Sequence, residues 1–323
     1  MAVSTDVADV TDAAGYRPLL FSIAYGMTGS VGDAEDLVQD TFLNLTRAEQ
    51  AGTTVTNLKA YLTTSVTRLG INHLGSARVR RETYVGEWLP EPVVAFADRP
   101  GDAPAEHAEL ADSLSMAFLV MLEALSPVER AVFLLREAFG YGYPEVAELT
   151  GKSEANCRQI LTRARKHLAA GAGAGADVPP PLSARRAEGD ELARRFFAVA
   201  AGGDLEELLG MLAPEVVLHG DGGGKARAIG RSVSDPLQVA KLLVSAMRRI
   251  AELGASLVPA RVNGRPGMVA YDGEGRVLNV LALDVTEDGT VREIHAVANP
   301  DKLGHLGEVS DLGLRRPRER RMR

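Results

Sequence analysis

One stretch of the chain combines side chains that suit contact with nucleic-acid bases and phosphates. In YPEVAELTGKSEANCRQILTRARKHL, residues 143–168, Pro144 suits the first turn of a helix that ends at Gly151, and Ser153 is a good N-cap for a second helix. The second helix places apolar residues on one face and polar residues on the other. The outward set is Asn156, Arg158, Gln159, Thr162, Arg163, Arg165 and Lys166. This pattern predicts a helix-turn-helix with a basic recognition helix.

Other candidates for chemistry lie towards the C-terminal end. An acid/base pair could in principle come from His219, Asp221, Asp284 and His295, but nothing in their spacing shows that they converge. The motif DGGGK, residues 221–225, lacks the GxxxxGK spacing of a phosphate loop and fits a tight turn at a strand end. We therefore predict no catalytic site, no metal site and no cofactor.

Composition is that of an ordinary globular protein. The 323 residues are 46% hydrophobic and 24% charged, with a net charge of −7, and about 150 residues per domain gives two or three domains. The single cysteine, Cys157, excludes an intramolecular disulfide and faces the predicted core, as a structural thiol does. No apolar run suits a membrane, and MAVSTDVADVTD lacks the features of an export signal, so we expect a cytoplasmic protein.

Charge and composition divide the chain into six segments. Residues 1–82 form a helical unit with an acidic helix and a basic end, 83–104 a proline-rich linker, and 105–170 a second helical unit. Residues 171–186 form a flexible spacer, 187–303 an α+β domain with a curved antiparallel sheet, and 304–323 a basic tail. The expected helices of the α+β domain cover about 187–212 and 235–251, followed by four short strands.

The motifs DAEDLVQDTF, ALSPVERAVFLL and the helix-turn-helix occur in an order that resembles the bacterial extracytoplasmic-function sigma factors. WLPEP at residues 88–92, DGGGK, and NPDKL at residues 299–303 narrow the resemblance to the SigJ-like subgroup. The resemblance implies two all-α sigma domains followed by a SnoaL-like cone of the nuclear-transport-factor type. It also implies core RNA polymerase, through its β′ clamp helices and β flap, and promoter DNA as partners.

The resemblance assigns roles to three groups of residues. The helix that resembles the polymerase-docking helix offers Asp33, Asp36, Gln39 and Asp40, which would otherwise be a solvated acidic face. The segment that would bind the minus-10 element offers Arg68, Asn72, His73, Arg78, Arg80 and Arg81. The recognition helix would bind the minus-35 element. Arg158 and Arg163 suit guanine edges or phosphates, and Asn156 and Gln159 suit adenine. Arg165 and Lys166 suit phosphates.

The linker contains Trp88, the only tryptophan, whose large apolar surface needs cover. Because its prolines keep it extended, we predict that WLPEP docks on the C-terminal domain near DGGGK or NPDKL and acts as a switch. The residues of this predicted contact are Trp88, Leu89, Pro90, Glu91, Pro92, Asp221, Gly222, Gly223, Gly224, Lys225, Asn299, Pro300, Asp301, Lys302 and Leu303. The alternative is that Trp88 packs only on the helical segment next to it in the sequence.

Two other functions stay open at this point. The chain could be a helix-turn-helix repressor, which requires a dimer and a palindromic site. It could also be a bifunctional protein whose SnoaL-like domain is an enzyme. We favour a regulatory domain, with a pocket that could hold a small apolar molecule, over an enzyme.

Overall fold

The computed structural model describes residues 13–82, 84–96, 114–171 and 186–314. Contacts between residues divide this part into two compact units. The first, called the helical unit, contains residues 13–82, 114 and 118–171, and the second, called the sheet unit, contains 84–96, 115–117 and 186–314. Within the described ranges, no helix has both the length and the apolar character that a membrane crossing requires.

Three helices form the first part of the helical unit. They are α1 (Arg17–Thr28), α2 (Val31–Gln50) and α3 (Leu58–Glu82), preceded by a 3-10 turn at Ala14–Tyr16. Gly29 ends α1 in a left-handed conformation with φ of 65°, and the Ser30 hydroxyl caps α2 by accepting a hydrogen bond from the Asp33 amide. The buried side chains include Leu37, Leu45 and Leu62, as the apolar spacing predicts.

Four helices form the second part of the helical unit. They are α4 (Met116–Leu122), which belongs to this unit from Phe118 on, α5 (Pro127–Phe133), α6 (Tyr143–Thr150) and α7 (Glu154–Gly171). α5 continues into a π-helical turn at Leu134–Ala138. Ser126 and Glu129 form a capping box at the start of α5. Gly151 ends α6 with φ of 66°, and the Ser153 hydroxyl accepts from the Asn156 amide at the start of α7. The predicted helix-turn-helix is therefore present.

The two parts of the helical unit pack against each other, with α3 against α5 and α6. Arg130 on α5 is 3% exposed, and its guanidinium donates to the carbonyls of Met27 and Leu122, each at 2.7 Å. The same guanidinium forms an ion pair with Glu123 at 2.8 Å. A buried arginine with these partners holds α1 and α5 together, because separating them would leave its hydrogen bonds unmade.

The sheet unit packs three helices on a six-stranded sheet. The helices are α8 (Arg186–Gly202), α9 (Leu205–Gly210) and α10 (Pro236–Glu252). The strands are β1 (Val94–Ala95), β2 (Leu212–Asp221), β3 (Ser256–Val262), β4 (Arg265–Tyr271), β5 (Val277–Val285) and β6 (Val291–Val297), in the spatial order β1-β3-β4-β5-β6-β2. Phe196, Phe197 and Leu243 from the helices pack on Leu283 and Ile294 of the sheet.

One pairing in the sheet corrects the predicted antiparallel arrangement. β2 runs parallel to β6, whereas the other pairs are antiparallel, so the sheet is mixed. The sequence pattern predicts helix up to about residue 212 and implies a strand end before DGGGK, but it does not predict the start of β2 or its parallel pairing, because Pro214 interrupts the alternation. The register shift between Leu212 and Val217 places this proline at an irregularity, where a missing amide is tolerated.

The C-terminal boundary of the sheet unit also differs from the predicted tail at 304–323. Residues 304–314 pack on the domain, starting with a 3-10 turn at Gly304–Leu306. The Val277 amide donates to the Glu308 carbonyl at 2.8 Å, and the Ser310 hydroxyl donates to the Asp272 carboxylate at 2.6 Å. The arginine-rich end RRPRERRMR lies outside the described residues.

Candidate functional site

A buried carboxylate joins residues 84–96, called the linker segment, to the end of β2. Asp221 is 0% exposed. Its Oδ1 atom accepts hydrogen bonds from the Tyr84 hydroxyl at 2.5 Å and from the Gly223 amide at 2.9 Å. Its Oδ2 atom accepts from the Leu89 amide at 2.9 Å. Two of these three donors belong to the linker segment, so removal of that segment would leave the buried carboxylate with fewer hydrogen bonds.

A buried ammonium group faces the same carboxylate. Lys302, in the 3-10 turn Pro300–Lys302, is 6% exposed, and its Nζ lies 2.6 Å from Asp221 Oδ2. Nζ also donates to the Leu89 carbonyl. It lies 4.1 Å from the centroid of the Trp88 ring and 4.8 Å from that of Tyr84, within cation–π range. One lysine therefore contacts the backbone and two aromatic rings of the linker segment.

Tyr84 completes the polar network. Its hydroxyl accepts a hydrogen bond from Asn299 Nδ2 at 2.7 Å while it donates to Asp221. Burial, together with the hydrogen bond to Asp221 and the charge of that carboxylate, raises the pKa of Tyr84 above its ordinary value. The tyrosine thus stays a neutral hydrogen-bond donor.

The second half of the linker segment joins the sheet edge. The Pro92 carbonyl lies 2.8 Å from His305 Nε2. Asn263, with φ of 51°, donates its amide to the Val93 carbonyl at 2.8 Å and accepts from the Val93 amide through its side chain at 3.1 Å. Next along the chain, β1 pairs with β3 in the register Val94 with Val262. The segment is therefore bound as an added edge strand.

The DGGGK motif forms the predicted tight turn after β2. Gly223 and Gly224 have φ of 56° and 71°, which favours glycine. A Cβ on Gly223 would lie 2.4 Å from Asn299 Nδ2, and one on Gly224 would lie 3.0 Å from Val85 Cγ1. The glycines thus allow the turn to approach both NPDKL and the linker segment.

The structure brings the predicted WLPEP, DGGGK and NPDKL motifs together, but Trp88 is not the most deeply buried side chain of the contact. Leu89 is 0% exposed and Trp88 is half-buried, so the leucine is the more deeply inserted side chain. Lys225 pairs with Asp301 at 2.6 Å at the exposed rim of the contact. The other predicted members are Pro90, Pro92 and Leu303, which are buried, Glu91 and Pro300, which are half-buried, and Gly222 in the turn. The sequence reasoning missed Tyr84, Glu87, Asn263 and His305.

The residues weighed as an acid/base pair divide into separate groups. Asp284 is 3% exposed and pairs with Arg292 at 2.7 Å, while Asp221 belongs to the linker contact. The rings of His219 and His295 stack with centroids 5.0 Å apart. Burial acts to raise the pKa of nearby Glu293, but the contact with His295 and the charges of His295, His219 and Arg292 outweigh it and lower that pKa.

The predicted polymerase-docking residues lie on one face of α2. Asp36, Gln39 and Asp40 are exposed, and Asp33 is half-buried, with its carboxylate 3.2 Å from His73 Nε2. Leu43, one turn further along, has 51% of its surface exposed. The acidic side chains and this leucine therefore share one solvent-exposed face of α2.

The predicted minus-10 residues follow α3. Arg68 and Asn72 are exposed, and His73 is half-buried against Asp33. A Cβ on Gly151 would lie 3.6 Å from Arg68 Nη2, which places this arginine beside the turn of the helix-turn-helix. The side chains of Arg78, Arg80 and Arg81 lie outside the described part of the structure.

The recognition helix α7 presents the predicted polar set. Arg158, Gln159, Arg163, Arg165 and Lys166 are exposed and Asn156 is half-buried. Cys157 is buried, as predicted. Arg158 pairs with Glu154 at 3.0 Å and stacks over the Tyr143 ring at 4.6 Å. A second ion pair joins Arg165 to Glu137 at 2.9 Å.

Comparison with known proteins identifies the family. The Sigma-70 region 2 family model matches residues 13–80, and the Sigma-70, region 4 model matches residues 115–168. The chain is 36% identical over 301 residues to the ECF RNA polymerase sigma factor SigJ of Mycobacterium tuberculosis, covering 91% of this chain and 93% of that protein. The chain belongs to the extracytoplasmic-function (ECF) sigma factors. The part of the chain that matches region 2 contains α2 and most of α3. The part that matches region 4 contains α6 and most of α7.

Two further likenesses extend beyond the sigma regions. The probable ECF RNA polymerase sigma factor SigI of M. tuberculosis is 32% identical over 297 residues, covering 90% of this chain and 93% of that protein. The crystal structure of M. tuberculosis SigJ matches with a TM-score of 0.71 at 34% identity, covering 92% of this chain and 99% of that one. The predicted fold class, helical sigma domains followed by a SnoaL-like α+β domain, is confirmed, with a mixed sheet.

Proposed function

We propose that this ECF sigma factor binds core RNA polymerase through α2, contacts promoter DNA through α3 and α7, and is regulated by docking of the linker segment on its SnoaL-like domain. The observation that carries the proposal is the simultaneous exposure of an acidic docking face on α2 and a basic recognition face on α7. A repressor needs only the second face.

The acidic face of α2 suits the β′ clamp helices of core polymerase. Asp36, Gln39, Asp40 and Leu43 recur at helical spacing and share exposure. The carboxylates would steer a basic partner, and burial of Leu43 would add apolar contact. Region 4 would meet the β flap.

The recognition helix suits the major groove at the minus-35 element. Arg158 and Gln159 lie early on α7, where a recognition helix contacts base edges, and Arg165 and Lys166 lie later, where phosphates are in reach. Arg158 already lies between Glu154 and Tyr143, so DNA would compete with these partners.

The packing of the helical unit implies that the chain opens when it binds promoter DNA. The minus-10 and minus-35 elements lie about 25 base pairs apart, or about 85 Å at about 3.4 Å per base pair. The 18 residues of α7 span only about 27 Å. We infer that α3 separates from α5 and α6, against which it packs, when both elements are contacted together.

The linker segment is the natural control point for this opening, because it connects α3 to the second part of the helical unit. Its docking restricts where both parts can go, and release of Asp221 and Lys302 would free it. We assign the SnoaL-like domain a regulatory role and no catalytic one, since Asp221 is used by the linker contact and Asp284 by Arg292. Its place of action would be the cytoplasm, where promoter DNA is.

A binding experiment tests the proposed function. The purified chain is expected to co-elute with core RNA polymerase in size-exclusion chromatography, and Asp36→Lys with Asp40→Lys should weaken the complex at least about tenfold through charge reversal. Glu206→Lys with Glu207→Lys, which changes the same number of charges in the first turn of α9, is the matched control. A chain that never binds core polymerase but binds palindromic DNA as a dimer would replace the proposal with the repressor function.

A further inference from the structure

A cluster of histidine and carboxylate side chains lies beside the linker contact. The parallel pairing of β2 and β6 sets His219 opposite His295 and Val217 opposite Glu293. Because side chains alternate along a strand, Glu293 and His295 lie on the same face of the sheet as His219. One nitrogen or oxygen atom from each of His219, Glu293 and His295 lies within 4.8 Å of the others.

A carboxylate of the linker segment fixes one side chain of this cluster. Glu87 of the linker segment places Oε1 2.6 Å from His219 Nδ1. A carboxylate can only accept there, so Nδ1 is the donor of this bond and Nε2 is the ring nitrogen left for another partner. A histidine that donates one nitrogen to a carboxylate and offers the other to a metal is the usual arrangement in metal sites.

Two buried polar atoms of the cluster make no hydrogen bond. They are Nε2 of His295, a residue 1% exposed, and Oε2 of Glu87. Glu293 Oε2 lies 3.3 Å from His295 Nε2, and the two groups form an ion pair when the imidazole is protonated. That separation matches the distance of about 3.3 Å between two ligands of a tetrahedral ion with bonds of about 2.0 Å. A buried nitrogen without a hydrogen bond is costly unless something else occupies it.

We propose that His219, Glu293 and His295 bind a divalent transition-metal ion of the zinc class, and that Glu87 is the positioning residue that orients His219. Two imidazoles and one carboxylate are donors that such ions prefer over Mg²⁺ or Ca²⁺. Three protein ligands leave one coordination position for water or an added ligand.

The site connects metal binding to the linker segment, because Glu87 lies next to Trp88. Metal binding and linker docking should therefore strengthen each other by the same factor. This consequence rests on the proposed regulation, whereas the metal site itself does not.

The test is a calorimetric titration of the metal-free full-length chain with Zn²⁺, without polymerase or DNA. One equivalent should bind per chain, and His295→Gln should lower the affinity more than about 100-fold, beyond the about 10–100-fold expected for loss of an outer partner in Glu87→Ala. His167→Gln on α7, which removes a histidine outside the cluster, is the matched control and should leave the affinity unchanged.

Two further measurements keep the test decisive if one variant fails to fold. They are the visible absorption of bound Co²⁺ and the far-ultraviolet circular dichroism of the variant. Co²⁺ bound to the wild-type chain should give visible absorption bands of a low-coordinate site, and Glu293→Gln, at a half-buried position, should abolish them while the far-ultraviolet spectrum stays unchanged. Absence of saturable Zn²⁺ binding by the wild-type chain would overturn the proposal. Binding that His295→Gln and Glu293→Gln leave unchanged would also overturn it. Failure of polymerase binding would leave this result unaffected.

Discussion

At the scale of single residues, the contact between the linker segment and the SnoaL-like domain depends on one buried ion pair. Asp221 and Lys302 are 0% and 6% exposed and lie 2.6 Å apart. Such a pair adds little net stability compared with apolar side chains, but removal of one partner leaves an uncompensated buried charge. Each of the two charges therefore needs the other as its buried partner, and both also bind the Leu89 backbone.

A comparison of two lysines tests this dependence. Lys302→Met should destabilise the sheet unit by about 3–5 kcal/mol, because Asp221 loses its buried counter-charge. Lys225→Met, which breaks the exposed pair with Asp301, should cost about 0–1 kcal/mol. Urea unfolding followed by Trp88 fluorescence measures both changes in the free energy of unfolding. Equal losses in the two variants would contradict the central place of Lys302.

The sequence identified the three motifs of this contact but only part of its chemistry. WLPEP was singled out because a lone tryptophan between prolines needs cover, and that reasoning holds for the half-buried Trp88. Tyr84, Asn263 and His305 were missed because their partners lie far away along the chain, and local spacing carries no signal for such pairs. The aromatic ring of Tyr84 beside the proline-rich stretch was the one available hint.

At the scale of elements, the linker segment behaves as a bound peptide that adds strand β1 to the sheet edge. Main-chain bonds to Asn263 and pairing with β3 fix its position, while Leu89 and Trp88 supply the side-chain contacts. The prolines reduce the entropy lost on docking.

Removal of the C-terminal domain tests the docking and its consequence together. A chain that ends at residue 171 should shift Trp88 emission to longer wavelength, because the Lys302 contact and its cover are lost. Trp88→Ala in the full chain should change promoter output in the same direction as the truncation. The two changes combined should not add, since they remove one contact.

Two results would contradict that account. The first is an emission spectrum that the truncation leaves unchanged, which would mean that Trp88 packs only on the helical unit. The second is full additivity of Trp88→Ala and truncation in promoter output. Lys225→Met, at the exposed rim, is the control for both measurements.

The strands of the sheet unit differ in how well the sequence predicts them. β3 covers the apolar run SLVPARV, one of the four short strands that the sequence predicts, and turns at Gly254 and Asn263 bound it. The start of β2 and its parallel pairing are not predicted, because its partner β6 is about seventy residues away and Pro214 breaks the alternation. Since β2 carries both His219 and Asp221, the histidine and carboxylate cluster was not visible from spacing alone.

At the scale of the whole molecule, the chain is a sigma factor, a protein that gives core RNA polymerase its choice of promoter. Arg130 and the packing of α3 on α5 and α6 hold the helical unit together, and we propose that promoter binding opens it. Opening costs free energy because these contacts are lost. Polymerase binding at α2 would offset that cost if polymerase binds the open state more tightly than the closed state.

The most direct test is transcription from a randomised promoter library by purified core RNA polymerase with and without this chain. We predict that the chain activates a defined set of sequences. Arg158→Ala should relax the preference at one minus-35 position by about 1–3 kcal/mol, whereas Lys166→Ala should weaken all promoters alike. A library whose transcripts are the same with and without the chain would contradict the central claim.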